Sequence, residues 1–306
     1  MVARALGAPL VIGLDVGGTK ILGGVLDRDG RMLATHEVET PKRSQEEVVA
    51  TLDAVVEELL DERVGAIGYG IPSNLDRRTR VALQATNLPL ARFDLRAHAG
   101  ERFGLPVGVE NDGNAAALAE WRFGAGRGTS NLVMLTLGTG VGGGLVLDGE
   151  LYRGWAELGH VVVQADGPPC QGHCHGRGHL EAVASGTAAD RAARELYGPG
   201  ADGHQLIAHA ESGDAAARER LAGIGELLGA AIGSFANEFD PEVVVVGGGF
   251  GRAAGELVLG PALDAARREA LTPADENLRI VPAELGAEAG LVGASLVAFE
   301  ALDHAG

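Results

Sequence analysis

One local pattern occurs twice in this chain, and it limits the folds available. A short apolar run ends in a Gly/Thr turn, a second apolar run follows, and an Asp-Gly pair then reverses the chain. In the first half these are residues 10–16 (LVIGLDV), Gly17-Gly18-Thr19-Lys20, residues 21–27 and Asp29-Gly30. In the second half they are residues 131–137 (NLVMLTL), Gly138-Thr139-Gly140, residues 142–147 and Asp148-Gly149. Short apolar runs bounded by turn signals read as strands, and Asp-Gly is a hairpin signal. The copies lie about 120 residues apart. Two β-initiated halves of similar layout predict a duplicated α/β architecture with a cleft between the halves.

The intervening sequence fits that plan. Residues 31–38 read as a third strand. Ser44-Gln45-Glu46-Glu47 is a capping box, followed by Val48, Val49, Leu52, Val55, Val56, Leu59 and Leu60 at helical spacing. Residues 64–69 and 105–110 read as strands, and 114–121 as an Ala-rich helix. Further on, 214–239 is a long helix that Asp240-Pro241 ends. Residues 242–246 are a buried strand running into Gly247-Gly248-Gly249. A helix at 252–269, a strand at 278–282 and a helix at 289–302 complete the reading.

The chain has 306 residues, a length suited to two domains. Apolar residues at 46% and charged residues at 22% place it among ordinary globular proteins and exclude a disordered one. The net charge of −17 argues against nucleic acid or an anionic membrane surface as the main partner, because both need a basic footprint. No apolar run is long enough to span a bilayer. Met1–Leu14 is interrupted by Pro9 and reads as a lead into the first strand, not a signal peptide. A cytoplasmic protein is expected. The 48 glycines follow no three-residue period, so collagen is excluded; they read as loops where backbone approaches something closely.

Gly138-x-Gly140-x-x-Gly143 matches a dinucleotide fingerprint as a string, but that fingerprint needs a helix after the loop. Here a strand follows. No P-loop string GxxxxGKS/T occurs. Strand–turn–strand units with Gly and Thr at their tips expose backbone N–H groups able to nest anionic oxygens. Thr19 and Thr139 add hydroxyls, and Lys20 adds a cation. Asp15, at the end of its strand, is placed to hold Mg²⁺ through water. Gly247-Gly248-Gly249 is a third loop of this kind.

Residues 160–181 hold both cysteines and a cluster of histidines. Cys170-x3-Cys174-x4-His179, with His160 upstream, is an S₂N₂ set suited to tetrahedral Zn²⁺ in a closed, structural site. His173 and His175 compete with His179 for the fourth place. Free thiols, a strained disulfide and a redox pair are the other readings of the two cysteines.

Glu110-Asn111-Asp112-Gly113-Asn114 lies where a strand meets a helix. Strand ends of α/β sheets face the ligand crevice, so Asp112 can act as general base toward a hydroxyl while Asn111 binds neighbouring hydroxyls. The plainer alternative is that Asn111 or Asp112 caps the helix. Glu157 and Glu181 flank the Cys/His cluster and would add acceptors for a polyhydroxy substrate.

Taken in order, Asp15-x-Gly17-Gly18-Thr19-Lys20, Glu110-Asn111-Asp112, Leu137-Gly138-Thr139-Gly140-x-Gly142, Glu157-x-Gly159-His160 and the Cys/His cluster ending in Glu181 resemble the ROK family of sugar kinases, most closely its bacterial glucokinases. The resemblance implies an actin-like ATPase (ribonuclease H-like) fold with two α/β domains around a central cleft. One domain would hold residues 1–109 and 290–306, the other 110–289 with the zinc loop. Asp15, Gly17, Gly18, Thr19, Lys20, Gly138, Thr139, Gly140, Gly142 and Gly143 would hold ATP phosphates and Mg²⁺, with Gly247, Gly248 and Gly249 near the adenosine. Asp112 matches the catalytic base. Asn87, Asn111, Asp112, Glu157, His160 and Glu181 match the sugar contacts, and His160 would also bind zinc with Cys170, Cys174 and His179.

The expected activity is ATP-dependent phosphorylation of a hexose, glucose at its 6-hydroxyl, by a homodimer or homotetramer. Other hexoses (mannose, fructose, N-acetylmannosamine) and polyphosphate as donor are the alternatives. The family's sugar-responsive repressors place a DNA-binding helix-turn-helix before the first strand, which here starts near residue 10. Two departures stand out: His179 occupies the place of a third cysteine, and Ser73 replaces a Gly common after Gly70-Ile71-Pro72.

Overall fold

The computed structural model describes residues 9–85, 87–172 and 174–305. Most of the Met1–Leu14 lead, Thr86, His173 and Gly306 lie outside the described residues. In chain order the elements are β1 (Leu10–Val16), β2 (Lys20–Leu26), β3 (Met32–Glu39), α1 (Gln45–Leu59), β4 (Val64–Ile71), β5 (Ser73–Leu75), β6 (Ala82–Ala85), β7 (Ala91–Phe93), α2 (Leu95–Phe103), β8 (Val107–Asn111) and α3 (Asp112–Phe123). Next come β9 (Leu132–Leu137), β10 (Val141–Leu147), β11 (Glu150–Leu151), α4 (Leu180–Ala184), α5 (Gly186–Tyr197), α6 (Gly203–Glu211), α7 (Ala215–Phe239), β12 (Val243–Gly247), α8 (Gly249–Ala254), α9 (Glu256–Glu269), α10 (Ala274–Asn277), β13 (Ile280–Pro282) and α11 (Ala289–Ala305).

The repeat in the sequence is a repeat in topology. One five-stranded sheet runs β3-β2-β1-β4-β8, the other β11-β10-β9-β12-β13. In each, the first three strands form an antiparallel meander and the last two add in parallel. This is the duplicated plan of the actin-like ATPase fold. A small antiparallel sheet, β5-β6-β7, accompanies the first.

The chain divides into two compact units. The first comprises the chain up to Ala119, Arg153–Trp155 and the stretch from Ala287; the second comprises Glu120–Tyr152 and Ala156–Gly286. The division falls at 119/120 and 286/287, whereas the sequence reading set it at 109/110 and 289/290. The physical reason is that β8 pairs with β4 and so carries Glu110 and Asn111 in the first sheet.

In the first unit, Ser44 caps α1 by accepting from the Glu47 N–H, and Val48, Leu52, Val55, Val56 and Leu59 are buried with β1 and β4 side chains. The opposite face of that sheet carries α11, and glycine decides how. Gly24, Gly13, Gly68 and Gly108 pair with one another in register across β2, β1, β4 and β8. Any Cβ in this row would meet α11: Leu291 at Gly24, Ser295 at Gly13, the Ala294 carbonyl at Gly68 and the Val297 carbonyl at Gly108. The row is a trench that seats the backbone of an apolar helix. These four lie inside the strands expected at 10–16, 21–27, 64–69 and 105–110, but the close approach expected of glycines in loops occurs here within strands.

In the second unit, α7 is capped by Asp214 and packs along α9. Gly225, Gly229 and Gly233 line that contact, against Val258, Ala262 and Glu269. The helix read as 252–269 is instead two, α8 and α9, because Gly255 at φ 48° breaks it. Strands β5 to β7 and helices α2 and α4 to α6 were not read from the sequence. At Asp148-Gly149, both residues have positive φ (53° and 75°), as a type I′ hairpin requires.

The trench makes a testable demand. Gly68→Ala drives a methyl into the Ala294 carbonyl, whereas at Gly70, on the same strand, the nearest atom to an added Cβ is 3.4 Å away. Overpacking of this kind costs about 1–3 kcal/mol. Urea unfolding is expected to show that loss for Gly68→Ala and a markedly smaller one for Gly70→Ala.

Candidate active site and metal cluster

In the first unit, β1 delivers Asp15 to the mouth of the Gly17–Lys20 turn. The Gly17 N–H donates to the Lys20 carbonyl at 2.9 Å. Thr40, buried at the end of β3, braces the turn twice: its N–H donates to the Thr19 carbonyl at 3.0 Å and its hydroxyl to the Gly17 carbonyl at 2.8 Å. Asp15 packs against the first turn of α11, where a Cβ on Gly290 would lie 2.5 Å from its carboxyl carbon. Burial pushes the Asp15 carboxyl up to about 6, and the field of Lys20 only partly opposes that. The Lys20 ammonium itself pairs with Glu37 at 2.6 Å on the neighbouring strand. Asn87 lies beside the turn, with its Cβ 3.0 Å from the point a Cβ on Gly18 would occupy.

Asn111 ends β8 and Asp112 begins α3. The capping reading holds for Asn111, whose Oδ1 accepts from the Gly113 and Asn114 N–H groups at 2.9 and 3.2 Å. Its Nδ2 lies 3.5 Å from the Ser73 carbonyl, so the departure at Ser73 sits against the candidate sugar contact. Asp112 Oδ1 accepts from the Gly113 N–H at 2.8 Å.

Beneath them Glu110, 1% exposed, is clamped by two arginines, Arg80 at 2.5 Å and Arg153 at 3.2 Å. The same carboxylate accepts from the Asn111 N–H at 3.0 Å and the Asn114 amide at 3.1 Å. A buried carboxylate with this many partners frames the Asn111–Asp112 turn. Arg153 also reaches Glu300 on α11. Arg80 and Arg153 were not singled out from the sequence, because neither sits in a motif; the contact is made by folding.

In the second unit, the Gly138–Gly140 turn joins β9 to β10. The Gly138 carbonyl accepts from the Gly186 N–H at 2.7 Å, and the Thr139 carbonyl accepts from the Thr187 hydroxyl at 2.8 Å, so the first turn of α5 holds the loop. Glu181, on α4, packs on Gly140 and accepts from the Val141 N–H at 3.0 Å. Gly142 and Gly143 continue into β10, where a Cβ on Gly142 would lie 2.7 Å from the Thr136 hydroxyl. Gly247 ends β12 and Gly248 follows it, both packing on β9, Gly248 at φ 83° against Leu137, and Gly249 opens α8. The two glycine loops of this unit are therefore neighbours. Glu157 precedes the single helical turn Leu158–His160, which Gly159 packs on Val141. Burial holds the Glu157 carboxyl above its ordinary range; His160 opposes this and Glu181 adds to it.

The Cys/His cluster assembles. Ligand atoms of His160, Cys170, Cys174 and His179 all lie within 4.8 Å of one another, with Cys174 Sγ 3.4 Å from His179 Nδ1. Donors about 2.0–2.3 Å from a tetrahedral zinc are about 3.3–3.8 Å apart, a spacing the Cys174–His179 pair already has and the other pairs approach. His160 Nδ1 is buried with no hydrogen-bond partner, as suits a ligand nitrogen. Burial pushes the Cys170 thiol up to about 12, an effect that a bound cation reverses. His175 is not part of the group, and the cysteines are not disulfide-bonded. The loop closes because Gly178, at φ 60°, crosses against the Gln164 carbonyl where no side chain fits. Glu181 Oε1 lies 3.7 Å from Cys170 Sγ, so one carboxylate touches both the cluster and the glycine turn.

Asp15 to Lys20, Asn87, Asn111 and Asp112 belong to the first unit; the remaining candidate residues belong to the second. Among the described residues no helix is long and apolar enough to cross a membrane.

Comparison with known proteins agrees with this geometry. Streptomyces coelicolor glucokinase is 35% identical over 316 aligned positions that span 95% of this chain and 98% of that protein. The crystal structure of a ROK family glucokinase from Streptomyces griseus, in complex with glucose and AMPPNP, superposes with a TM-score of 0.81 at 37% identity, covering 95% of this chain and 99% of that one. The ROK hexokinase of Thermus thermophilus gives 0.85 at 39% identity, covering 96% and 99%. The ROK family profile matches residues 11–301, and the chain belongs to the ROK family.

Proposed function

We propose that this protein is an ATP-dependent glucokinase that uses Asp112 as its general base. The observation that carries the reading is the Asn111–Asp112 turn, fixed on a buried, doubly ion-paired Glu110, in a chain that also presents two braced glycine turns.

A sugar hydroxyl is a weak acid and a poor nucleophile at neutral pH. Asp112 takes the proton of the 6-hydroxyl as that oxygen bonds to the γ-phosphorus. The bond from phosphorus to the bridging oxygen breaks, and its electron pair leaves with ADP. Asn111, Asn87, Glu157, His160 and Glu181 orient the sugar hydroxyls, following the family's motif positions. Backbone N–H groups at the tips of the Gly17–Lys20 and Gly138–Gly140 turns would hold phosphate oxygens, those of Gly17, Gly138 and Val141 being already bonded within the protein. Asp15 is the residue that would hold Mg²⁺ through water: it is a buried carboxyl whose ionised form is costly without a cation. Mg²⁺ supplies charge neutralisation at the phosphates. His160, Cys170, Cys174 and His179 would hold a structural zinc that orders the loop leading into Glu181.

An ADP-release assay with ATP·Mg²⁺ and a panel of glucose, mannose, fructose and N-acetylmannosamine tests the activity, with polyphosphate as the competing donor. Glucose with ATP is expected to dominate; no turnover with any sugar defeats the reading. Asp112→Asn is expected to bind glucose but lose about 10²–10⁴-fold in kcat. Near-normal kcat in that variant would remove Asp112 from the role of base. For the metal, elemental analysis of the purified protein is expected to give about one zinc per chain, and Cys174→Ser or His179→Ala to lose it along with most turnover. Retention of full activity by the metal-free variant would show that the cluster does not support the site.

A further inference from the structure

The motif Gly17-Gly18-Thr19-Lys20 points to Lys20 as the cation of the phosphate turn, but the fold spends that ammonium elsewhere. Lys20 opens β2 and lies diagonally across from Glu37 on β3, which pairs with it at 2.6 Å. A different lysine stands at the turn. Two residues beyond the bracing Thr40, and after Pro41, the Lys42 ammonium donates to the Gly18 carbonyl and, at 3.2 Å, to the Asn87 carbonyl.

The position of Lys42 carries the inference, which rests on the kinase reading above. Gly18 belongs to the turn assigned to phosphate, and Asn87 to the loop assigned to sugar. A phosphoryl group in transit passes from the first to the second. An ammonium has three donors and no acceptor. With two donors on these carbonyls, Lys42 keeps one donor and its whole charge for an anionic oxygen. Charge on the three equatorial oxygens is what phosphoryl-transfer sites must stabilise, and a cation fixed in place beforehand does so with little reorganisation. The chain as a whole repels such a group, at −17, so the local cation matters. No sequence motif marks Lys42; it is brought to the turn by the β3 strand end that Thr40 anchors.

We propose that Lys42 is a further catalytic residue, whose ammonium binds the γ-phosphoryl oxygens during transfer to the sugar. In that step the sugar oxygen–phosphorus bond forms, the bond from phosphorus to the ADP oxygen breaks, and the proton goes to Asp112. Lys42 exchanges no proton and acts by charge alone.

The test compares Lys42→Met and Lys42→Arg with Arg43→Met, which removes the same charge one residue away from a side chain that is 87% exposed. Two readouts are taken: kcat with the best sugar, and equilibrium affinity for AMPPNP and for ADP by calorimetry. Lys42→Met is expected to lose about 10²-fold in kcat. Its AMPPNP affinity should fall about tenfold while ADP affinity holds, because only the former presents a γ-phosphoryl group. Lys42→Arg should recover part of both, and Arg43→Met should match the parent chain. Equal losses for both nucleotides would make Lys42 a prop for the turn and overturn the proposal, as would a kcat within about threefold of the parent. If the Met variant does not fold, Lys42→Gln takes its place: a loss of AMPPNP affinity with ADP affinity held supports the proposal, and unchanged kcat and preference overturn it. A parent chain inactive with every sugar defeats the kinase reading itself, whereas an active parent with an equally active Lys42→Met defeats only this assignment.

Discussion

The close seating of α11 on a row of glycines is the constraint from which the first unit is built. A helix normally lies on a sheet through a layer of interdigitating side chains. Gly24, Gly13, Gly68 and Gly108 remove that layer on the sheet side, so the helix backbone itself touches the strands. The consequence reaches the chemistry. The same helix sets Gly290 against Asp15 at its first turn and Gly293 against the backbone of Ala115, one turn into the helix that begins with Asp112. One rigid element therefore fixes the proposed metal-binding carboxylate and the proposed base in a common frame.

The second unit repeats the sheet but not the bracing. Its glycine turn is held by Gly186 and Thr187 at the start of α5 and by Glu181, where the first is held by Thr40 and Lys42 of the following strand end. Glu181 comes two residues after His179, which is both a member of the Cys/His cluster and the N-cap residue of α4. The Cys/His cluster and the placement of the turn are thus coupled through three consecutive residues. Duplication supplied the same strand–turn–strand twice, and each copy acquired its own support.

The repeat, the two glycine turns, the Glu110-Asn111-Asp112 segment and the Cys/His set were legible because each is local: strand period, turn chemistry and ligand spacing are properties of short stretches. What escaped shares a cause. Strands β5 to β7 are three or four residues long, too short to show a period. Helix α5 buries Ala188, Ala189, Ala192 and Ala193, which contrast little with their neighbours. Gly13, Gly68 and Gly108 lie in stretches legible as strands, but their shared role in seating a helix shows only once the register aligns them. Arg80, Arg153 and Lys42 act through contacts between segments far apart in sequence, and Lys20 was claimed by a strand neighbour that its motif does not include.

The buried carboxylates separate structural from functional use of charge. Glu110 is met by two arginines and two amides, and Glu120 by the N–H groups of Ala125, Glu284 and Leu285. These are satisfied groups that hold turns in place. Asp15 is different: desolvation outweighs the one cation that acts on it, and its carboxyl is pushed up to about 6. A fold tolerates such a group where a ligand completes it, and desolvated titratable groups gather at functional sites for that reason. The cation at the adjoining turn, Lys42, donates to the Gly18 and Asn87 carbonyls. Lys20 pairs with Glu37 and Lys42 with two carbonyls, so neither fully compensates Asp15, which a bound cation would do.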